Sequence, residues 1–247
     1  MKEFHNKTVF ITGGSRGMGA AMAQAFAAQG AKVVFTYGKS TNEANALVKT
    51  IQAQGGQAEA HQADASNPQQ LASTLAALGK KLGKIHVLIN NAGVFLDTTM
   101  TETSATENFT TMMNVNVLSV FLGTHALLPY LAEGGRIINL GSVMGQSAMW
   151  PNFSGYTASK FAVAGLSSGW TYDLAPRKIT VNTIEPGPIN TEMNPENSPM
   201  ADFMRSNVPL GRYGQPQEVV DLALFLASPA AGYITGARIS IGGGIHA

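Results

Sequence analysis

A glycine-rich turn near the amino terminus decides the fold. The stretch Thr12-Gly13-Gly14-Ser15-Arg16-Gly17-Met18-Gly19 follows the short apolar segment Thr8-Val9-Phe10-Ile11. A turn of this kind, between a strand and a helix, exposes main-chain N–H groups at the positive end of the helix dipole, where phosphates bind. Gly13 permits the tight turn, Gly17 lets a diphosphate approach, and Gly19 lets helix and strand pack closely. The spacing is G-x-x-x-G-x-G and differs from the common G-x-G-x-x-G.

Short apolar segments alternate with helical patterns along the rest of the chain. Strands are predicted at residues 8–12, 32–36, 57–62, 86–90, 135–140, 180–184 and 237–241. Helices are predicted at residues 17–29, 42–54, 68–82, 107–131, 155–174 and 216–226. Strands that are apolar on both faces and alternate with helices form parallel sheets through right-handed crossovers. The sequence therefore predicts an α/β fold, with residues 1–247 forming a single doubly wound Rossmann domain of about seven parallel strands covered by helices on both faces.

Composition excludes several classes of function. The chain has 247 residues, of which 45% are hydrophobic and only 13% are charged, and its formal net charge is +1. These values exclude a disordered chain, a coiled coil and a strongly basic nucleic-acid binder. The chain has no cysteine, which excludes disulfides, thiolate nucleophiles and Cys-ligated metal centres.

The sequence gives no sign of targeting or of a metal site. The amino terminus is polar, which argues against a signal peptide, and no run of about 18 apolar residues is seen. We therefore expect a soluble cytoplasmic protein with no membrane or nucleic-acid partner. No bound metal is expected, because the histidines are scattered at His5, His61, His86, His125 and His246.

The segment 187–214 interrupts the alternation of strands and helices. It carries four prolines, and its length exceeds that of an ordinary connection. Its apolar side chains are Met193, Met200, Phe203 and Met204, which give an adaptable surface. We interpret the segment as a mobile substrate lid; a structural loop or a dimer contact is the alternative.

The end of the second strand indicates which dinucleotide binds. An NAD site places an Asp or Glu there to hold the ribose 2′-hydroxyl, but this strand ends Val34-Phe35-Thr36-Tyr37-Gly38-Lys39-Ser40. Arg16, Lys39 and the Ser40 hydroxyl could hold a 2′-phosphate instead. We therefore predict that NADP(H) is preferred over NAD(H); the alternative is that Arg16 and Lys39 are ordinary solvated charges.

Three further motifs give the chain a resemblance to a known family. They are Asn90-Asn91-Ala92-Gly93, Ser142, and Tyr156-Thr157-Ala158-Ser159-Lys160, with the serine 14 residues before the tyrosine. Together with the glycine turn, they resemble the short-chain dehydrogenase/reductase family over essentially the whole chain. The match includes Asp64, Asn116, Pro186-Gly187 and Tyr233-Ile234-Thr235-Gly236. His86 and Gly242 depart from the family, which usually has Asp near both positions, and we expect these departures to affect local packing only.

The resemblance implies the roles of the site residues. Asn116, Ser142, Tyr156 and Lys160 would form a catalytic tetrad. In addition to the residues already named for the phosphates, the cofactor would contact Ser15, Met18, Tyr37, Asp64, Ala65, Asn90, Ala92, Gly93, Tyr156, Lys160, Pro186, Gly187, Ile189 and Thr191.

These residue types suit carbonyl reduction. Tyr156 would be the general acid, although a free phenol with a pKa of about 10 is a poor acid–base group at neutral pH. Lys160 lies four residues on, and a cation about 4 Å away contributes about 4 kcal/mol at an effective dielectric constant of about 20, enough to lower that pKa by about 2–3. Ser142 would donate a hydrogen bond to the substrate oxygen. By the resemblance, Asn116 holds a water that relays protons to Lys160.

The residues expected around the substrate are apolar. They comprise the lid methionines and Val94, Phe95, Met144, Met149, Trp150 and Phe153, with no Arg or Lys to bind an anion. We therefore predict reduction of neutral ketones with aryl or bulky apolar groups.

Two alternative functions remain, and an assembly is expected. The first alternative is a 3-oxoacyl-[acyl-carrier-protein] reductase, in which Arg177 is retained but Glu133 stands where a basic docking residue is expected. The second is a catalytically inactive nucleotide-binding regulator.

The family resemblance also implies a homotetramer through the helices at 107–131 and 155–174, where Gly165, Ser168 and Gly169 permit close packing.

Overall fold

Seven parallel strands form one sheet, in the order β3-β2-β1-β4-β5-β6-β7. The computed structural model describes residues 2–245. The strands are Thr8–Thr12 (β1), Lys32–Tyr37 (β2), Gln57–Gln62 (β3), Ile85–Asn90 (β4), Leu131–Leu140 (β5), Thr180–Pro186 (β6) and Arg238–Ile241 (β7). The order reverses between β1 and β4, which is where ligands bind in folds of this type.

Helices connect the strands and cover both faces of the sheet. They are Gly17–Ala28 (α1), Thr41–Ala53 (α2), Pro68–Leu82 (α3), Ala105–Met113 (α4), Ser119–Leu127 (α5), Ser154–Leu174 (α6), Ala201–Ser206 (α7) and Pro216–Ala227 (α8). A π-helical turn, Asn114–Leu118, joins α4 to α5, and short 3₁₀ turns include Leu128–Tyr130 and Val143–Gly145. The predicted doubly wound α/β fold is thereby confirmed.

Two hydrophobic cores lie on opposite faces of the sheet. Val9 and Ile11 of β1 belong to the core that packs against α1, α2 and α8. Phe10, between them, belongs to the other core, which packs against α3, α5 and α6. Neighbouring residues of a strand point to opposite faces, so a strand that is apolar at every position needs helices on both sides.

The long helix predicted at 107–131 is interrupted and ends early. The π-helical turn divides it, and the helix gives way to the 3₁₀ turn Leu128–Tyr130, which contains Pro129. Leu131 was expected to end the helix but begins β5. Proline has no N–H to continue the helical hydrogen bonds, and the glycines that follow allow the irregular start of β5 opposite β4. The short helix α7, inside the segment 187–214, was not predicted.

One helical segment passes a length and hydropathy test for a membrane span. Within residues 2–245, Ala105–Tyr130 is long and apolar enough by length and composition alone. It packs against α3 and α6. A core helix of a soluble protein passes the same test, so this finding is weak evidence for a span.

The two departures from the family pattern have structural explanations. The Thr8 N–H donates to Nδ1 of His86 at 3.0 Å. Burial, together with Lys7 and Lys84, lowers the pKa of His86, which favours the neutral ring that can accept this bond. At the other position, a Cβ on Gly242 would lie 2.9 Å from side-chain carbons of both Val143 and Ile245, so a side chain there would force these neighbours to shift.

Candidate active site

Most of the predicted cofactor residues, and Ser142, lie at the carboxyl ends of the parallel strands. The glycine turn follows β1, Lys39 and Ser40 follow β2, and Asp64 and Ala65 follow β3. Asn90 ends β4, Ser142 follows β5, and Pro186 ends β6. Parallel strands bring these ends to one edge of the sheet. Residues spread over most of the sequence thus meet around the switch between β1 and β4.

The glycine turn has a backbone that only glycine adopts without strain. Gly13 and Gly17 have φ angles of +64° and +51°. A Cβ on Gly13 would lie 2.9 Å from Cα of Ala92, and one on Gly19 would lie 2.3 Å from the Gly13 carbonyl oxygen. Arg16 precedes α1 and makes no side-chain hydrogen bond to the first turn of the helix. The N–H groups there are thus left without a side-chain cap, as a phosphate-binding turn requires.

Asn91 holds this turn in place, a role that sequence reasoning missed. Its Nδ2 donates to the carbonyl oxygens of Thr12 at 3.1 Å and Gly13 at 2.8 Å. The Thr12 hydroxyl in turn accepts from the main-chain N–H groups of Asn91 and Ala92, at 3.1 and 3.2 Å. The β1 turn and the loop after β4 are therefore one hydrogen-bonded unit. The signal was available, since Asn91 lies inside the quoted motif Asn90-Asn91-Ala92-Gly93.

The side chain of Asn90 belongs to the interior. Its Nδ2 donates to Oγ1 of Thr124 at 2.9 Å and to Oδ1 of Asn139 at 2.7 Å. Asn139 continues this buried network by donating to Ser167 at 2.8 Å. The predicted contact between Asn90 and a cofactor would therefore have to come from its main chain.

Two basic side chains are unpaired near the end of β2. Arg16 and Lys39 are exposed, and within the described part of the chain neither has an ion-pair partner. Ser40 precedes α2, and its hydroxyl does not cap the helix. By contrast, Asp64 is engaged, because its Oδ1 accepts from the Ser66 N–H at 2.9 Å. The Asp64 carboxylate therefore stabilises its own loop. Arg16, Lys39 and the N-terminus of α2 remain available to bind a phosphate.

Three of the four proposed catalytic residues meet in a buried polar cluster. The Oδ1 of Asn116 accepts from the Val94 N–H at 2.8 Å, and its Nδ2 donates to the Val94 carbonyl at 2.9 Å. Lys160 Nζ donates to the Leu140 carbonyl at 2.8 Å and lies 5.6 Å from the centre of the Tyr156 ring. Asn116 is 1% exposed and Lys160 is 5% exposed. The π-helical turn carries Asn116, as such turns often do at functional sites.

Ser159 connects Asn116 to the tyrosine, which sequence reasoning also missed. Asn116 Nδ2 donates to Ser159 Oγ at 3.0 Å, and that hydroxyl donates to the Tyr156 carbonyl at 2.7 Å. Ser159 is fully buried. It therefore ties the π-helical turn to the first turns of α6, which carry both Tyr156 and Lys160.

Burial controls the electrostatics of the cluster. It lowers the pKa of Lys160 to about 8, and among the described residues no carboxylate pairs with this lysine. Burial also raises the pKa of Tyr156, opposite to the lowering expected from Lys160, and only a hydrogen bond with the Ser142 side chain opposes that rise. Ser142 itself is held by the main chain, because its Oγ accepts from the Met144 N–H at 3.1 Å.

A cavity of about 670 Å³ opens beside Ser142 and Tyr156. Of the residues expected around the substrate, Phe95, Met144, Trp150, Phe153 and the lid residues line it, whereas Val94 and Met149 do not. Besides Tyr156, five of the proposed cofactor contacts border it: Met18, Pro186, Gly187, Ile189 and Thr191. The lining is mostly apolar, with the two hydroxyls among the few polar groups. Such a cavity suits an apolar molecule with one polar reacting group.

Aromatic rings form a continuous wall of this cavity. The centres of the Phe95 and Phe153 rings are 4.6 Å apart, and Phe95 meets Tyr156 edge to face at 5.6 Å. Trp150 packs against Phe153 at 5.6 Å and against Phe203 of α7 at 5.7 Å. The wall thus runs from the proposed catalytic tyrosine to the segment 187–214, which we call the lid segment.

The residues described provide no metal site. No group of three or more His, Cys, Asp or Glu side chains in residues 2–245 is arranged to hold an ion. His246, which was considered at the sequence level, lies outside the described residues.

Comparison with known proteins relates the whole chain to a group of oxidoreductases. A family model described as enoyl-(acyl carrier protein) reductase matches residues 13–246. A 3-oxoacyl-[acyl-carrier-protein] reductase from Synechocystis sp. is 39% identical over 97% of this chain and 96% of its own length. The cyclic-di-GMP-binding biofilm dispersal mediator protein of Escherichia coli is 36% identical over 100% of both chains. A short chain dehydrogenase from Burkholderia cenocepacia, solved in complex with NADP, is 37% identical over 99% of this chain and 100% of its own, with a TM-score of 0.95.

Proposed function

Because the chain belongs to the short-chain dehydrogenase/reductase family of oxidoreductases, we propose that it is an NADPH-dependent carbonyl reductase. Its substrates are neutral ketones with aryl or bulky apolar groups, which it interconverts with secondary alcohols. The observation that carries this proposal is the cavity of about 670 Å³, in which the Ser142 and Tyr156 hydroxyls lie beside an apolar, aromatic wall.

The proposed chemistry follows from the positions of four side chains. NADPH, when bound, supplies the hydride that adds to the carbonyl carbon. Tyr156 donates its proton to the carbonyl oxygen, and Ser142 donates a hydrogen bond to that oxygen while negative charge develops on it. Lys160, protonated below a pKa of about 8, stabilises the phenolate that remains. Asn116 holds the loop after β4 against the lysine, and proton relay through a water at this point is part of the proposal.

The residues present fit a dinucleotide with a 2′-phosphate. The uncapped start of α1, and the turn geometry that the positive φ angles of Gly13 and Gly17 produce, suit the diphosphate. Arg16 and Lys39, both exposed and unpaired within residues 2–245, suit the 2′-phosphate, and no carboxylate ends β2 to repel it. We therefore propose NADP(H) as the preferred cofactor.

A spectrophotometric assay with a ketone panel tests both parts of the proposal. We expect acetophenone to be reduced with NADPH, with a kcat/KM at least about tenfold higher for NADPH than for NADH. The Arg16→Ala and Lys39→Ala variants should lower kcat/KM with NADPH and leave that with NADH unchanged. A ratio of kcat/KM with NADPH to kcat/KM with NADH near or below one would reject the cofactor preference. A lack of turnover with every ketone would reject the proposed reductase activity.

A 3-oxoacyl-[acyl-carrier-protein] reductase is the second candidate, favoured by the named Synechocystis relative. An acidic carrier protein needs a basic docking surface. Here the exposed Glu133 pairs with Lys178 at 3.2 Å, and Arg177 donates to the Leu128 and Leu131 carbonyls. The surface is therefore mixed in charge, which argues against the carrier protein. Strong preference for acetoacetyl thioester over acetophenone in the same assay would reverse this order.

A nucleotide-binding regulator without catalysis is the third candidate. The Escherichia coli relative, named for binding a cyclic dinucleotide, supports it. The complete set of Asn116, Ser142, Tyr156 and Lys160 argues for catalysis instead. Binding of NADPH without turnover of any ketone would favour the regulator.

The assembly, location and lid are also proposals. Phe121 of α5 and Phe161 of α6 are more than 40% exposed, and a Cβ on Gly165 or Gly169 would meet nothing within 4 Å. These open apolar faces support a homotetramer that packs through the two long helices. We propose a cytoplasmic enzyme of one domain, in which residues 187–214 close over the substrate.

A further inference from the structure

The substrate cavity contains a single formally charged residue, Asp97. Among the described residues that line the cavity, none is Lys, Arg or His, and Asp97 is the only carboxylate. It lies two residues after Phe95, whose ring forms part of the aromatic wall. Sequence reasoning missed this residue, because it belongs to none of the recognised motifs.

Hydrogen bonds fix the segment that carries Asp97. Its Oδ1 accepts from the N–H and the hydroxyl of Thr99, at 2.7 and 2.5 Å. Asn108 Nδ2 donates to the Asp97 carbonyl at 2.6 Å. The neighbouring Thr98 binds α6, since its hydroxyl accepts from the Gly155 N–H at 2.9 Å. The negative charge therefore stays at the cavity wall, and no described Lys or Arg pairs with it.

The aromatic wall and the carboxylate favour the same sign of charge on a ligand. The faces of Phe and Trp rings attract cations through their quadrupoles. A carboxylate at the same wall attracts a cation and repels an anion, an effect weakened by solvent because Asp97 is exposed. A positive group on a ketone bound beside Asp97 would thus be attracted, and a negative group there would be repelled.

We infer that Asp97 makes the cavity select ketones by charge, so that aryl ketones with a cationic amine or ammonium group are accepted and anionic keto acids are rejected. This inference rests on the proposed reductase function and extends its substrates beyond neutral ketones. Asp97 acts on specificity and takes no part in hydride or proton transfer.

Three ketones of similar shape test the inference. They are para-trimethylammonio-acetophenone, its uncharged isostere para-tert-butyl-acetophenone, and the anionic para-acetylbenzoate. We expect Asp97→Asn to lower the ratio of kcat/KM for the ammonium ketone over the tert-butyl ketone by about two- to fivefold, and to improve the reduction of the benzoate. Comparing variants on the same substrates cancels the different intrinsic reactivities of the carbonyls. In the wild type, the preference for the ammonium ketone over the tert-butyl ketone should also weaken as salt is added. In Asp97→Asn, this ratio should not depend on salt.

Two controls separate the inference from the function on which it rests. Asp221→Asn removes an exposed carboxylate of α8 that lies outside the lid segment and does not line the cavity, so it should leave all three substrates unchanged. Dissociation constants of the three ketones for the NADPH-loaded protein give a measure that needs no turnover. If the ratio of kcat/KM for the ammonium ketone over the tert-butyl ketone is the same in Asp97→Asn as in the wild type, the inference is overturned, even if the neutral ketone is reduced well. Absence of turnover would reject the reductase, and the binding series would still decide the role of Asp97.

Discussion

The cofactor end and the substrate end of the site are built in different ways. At the cofactor end, the Gly13–Gly19 turn is held by main-chain geometry and by the Asn91 amide, at distances where a single added carbon would clash. At the substrate end, side chains such as Trp150 and Phe203 come from segments far apart in the chain and meet through ring contacts. The residues of the cofactor end are close together in the sequence and form a recognisable motif. The residues of the substrate end are brought together only by folding.

This difference has a consequence for tolerance to change. A main-chain cradle has one working shape, so substitutions there affect folding and cofactor binding together. A wall of Met and aromatic side chains can repack around different ligands. We therefore expect cofactor preference to be fixed by few residues and substrate range to change readily with single substitutions along the lid segment.

The largest effect is expected at Tyr156, which lies where the two ends meet, and it should change kcat far more than cofactor binding. Tyr156→Phe removes the proposed proton donor and should lower kcat for ketone reduction by about 10²–10⁴-fold. The dissociation constant for NADPH should change far less than kcat, because the glycine turn that binds the diphosphate is untouched and Tyr156 is only one of many proposed cofactor contacts. Tyr172→Phe is the matched control: this tyrosine lies on the same helix, is 81% exposed and should have full activity. A Tyr156→Phe enzyme that keeps most of its turnover would contradict the mechanism.

The next effect tests the rigidity of the cofactor end. In Gly19→Ala the new Cβ would lie 2.3 Å from the Gly13 carbonyl oxygen and 2.5 Å from Nδ2 of Asn91. We expect the free energy of unfolding to fall by about 1–3 kcal/mol, with weaker NADPH binding, since the main chain of the turn must shift. Gly38→Ala at the end of β2 is the control for stability, because its Cβ would make an ordinary contact at 3.7 Å with Asp64. Equal stability of the two variants in urea unfolding would show that the turn is not tightly packed.

The same difference explains what the sequence could and could not predict. Alternating apolar segments and the glycine spacing predicted the sheet, and β1 and α1 begin where expected. The interior role of Asn90 was missed because its partners, Thr124 and Asn139, lie 34 and 49 residues away. The π-helical turn around Asn116 has no propensity signal, since it depends on contacts with the loop after β4. Long-range contacts thus account for most of the errors.

The pH dependence of reduction tests the buried lysine that lies between the two ends. Lys160 is protonated below its lowered pKa of about 8 and neutral above it. We therefore expect kcat/KM for reduction to be constant below pH 8 and to fall as the pH rises further, by up to about tenfold per unit. In Lys160→Met, the small residual rate should show no break near that pH. A break that persists in this variant would assign the titration to another group.

The smallest expected effect concerns the place where the lid segment meets the glycine turn. A Cβ on Gly17 would lie 3.5 Å from Oε2 of Glu192, so this carboxylate stands near the N-terminus of α1, where a diphosphate is expected to bind. Like charges repel, although solvent screens an exposed pair. Glu192→Gln should therefore tighten NADPH binding by about two- to threefold, and Glu196→Gln, in the same segment, should not. An unchanged dissociation constant in Glu192→Gln would mean that the side chain turns away when the cofactor binds, and that the two ends are electrostatically independent.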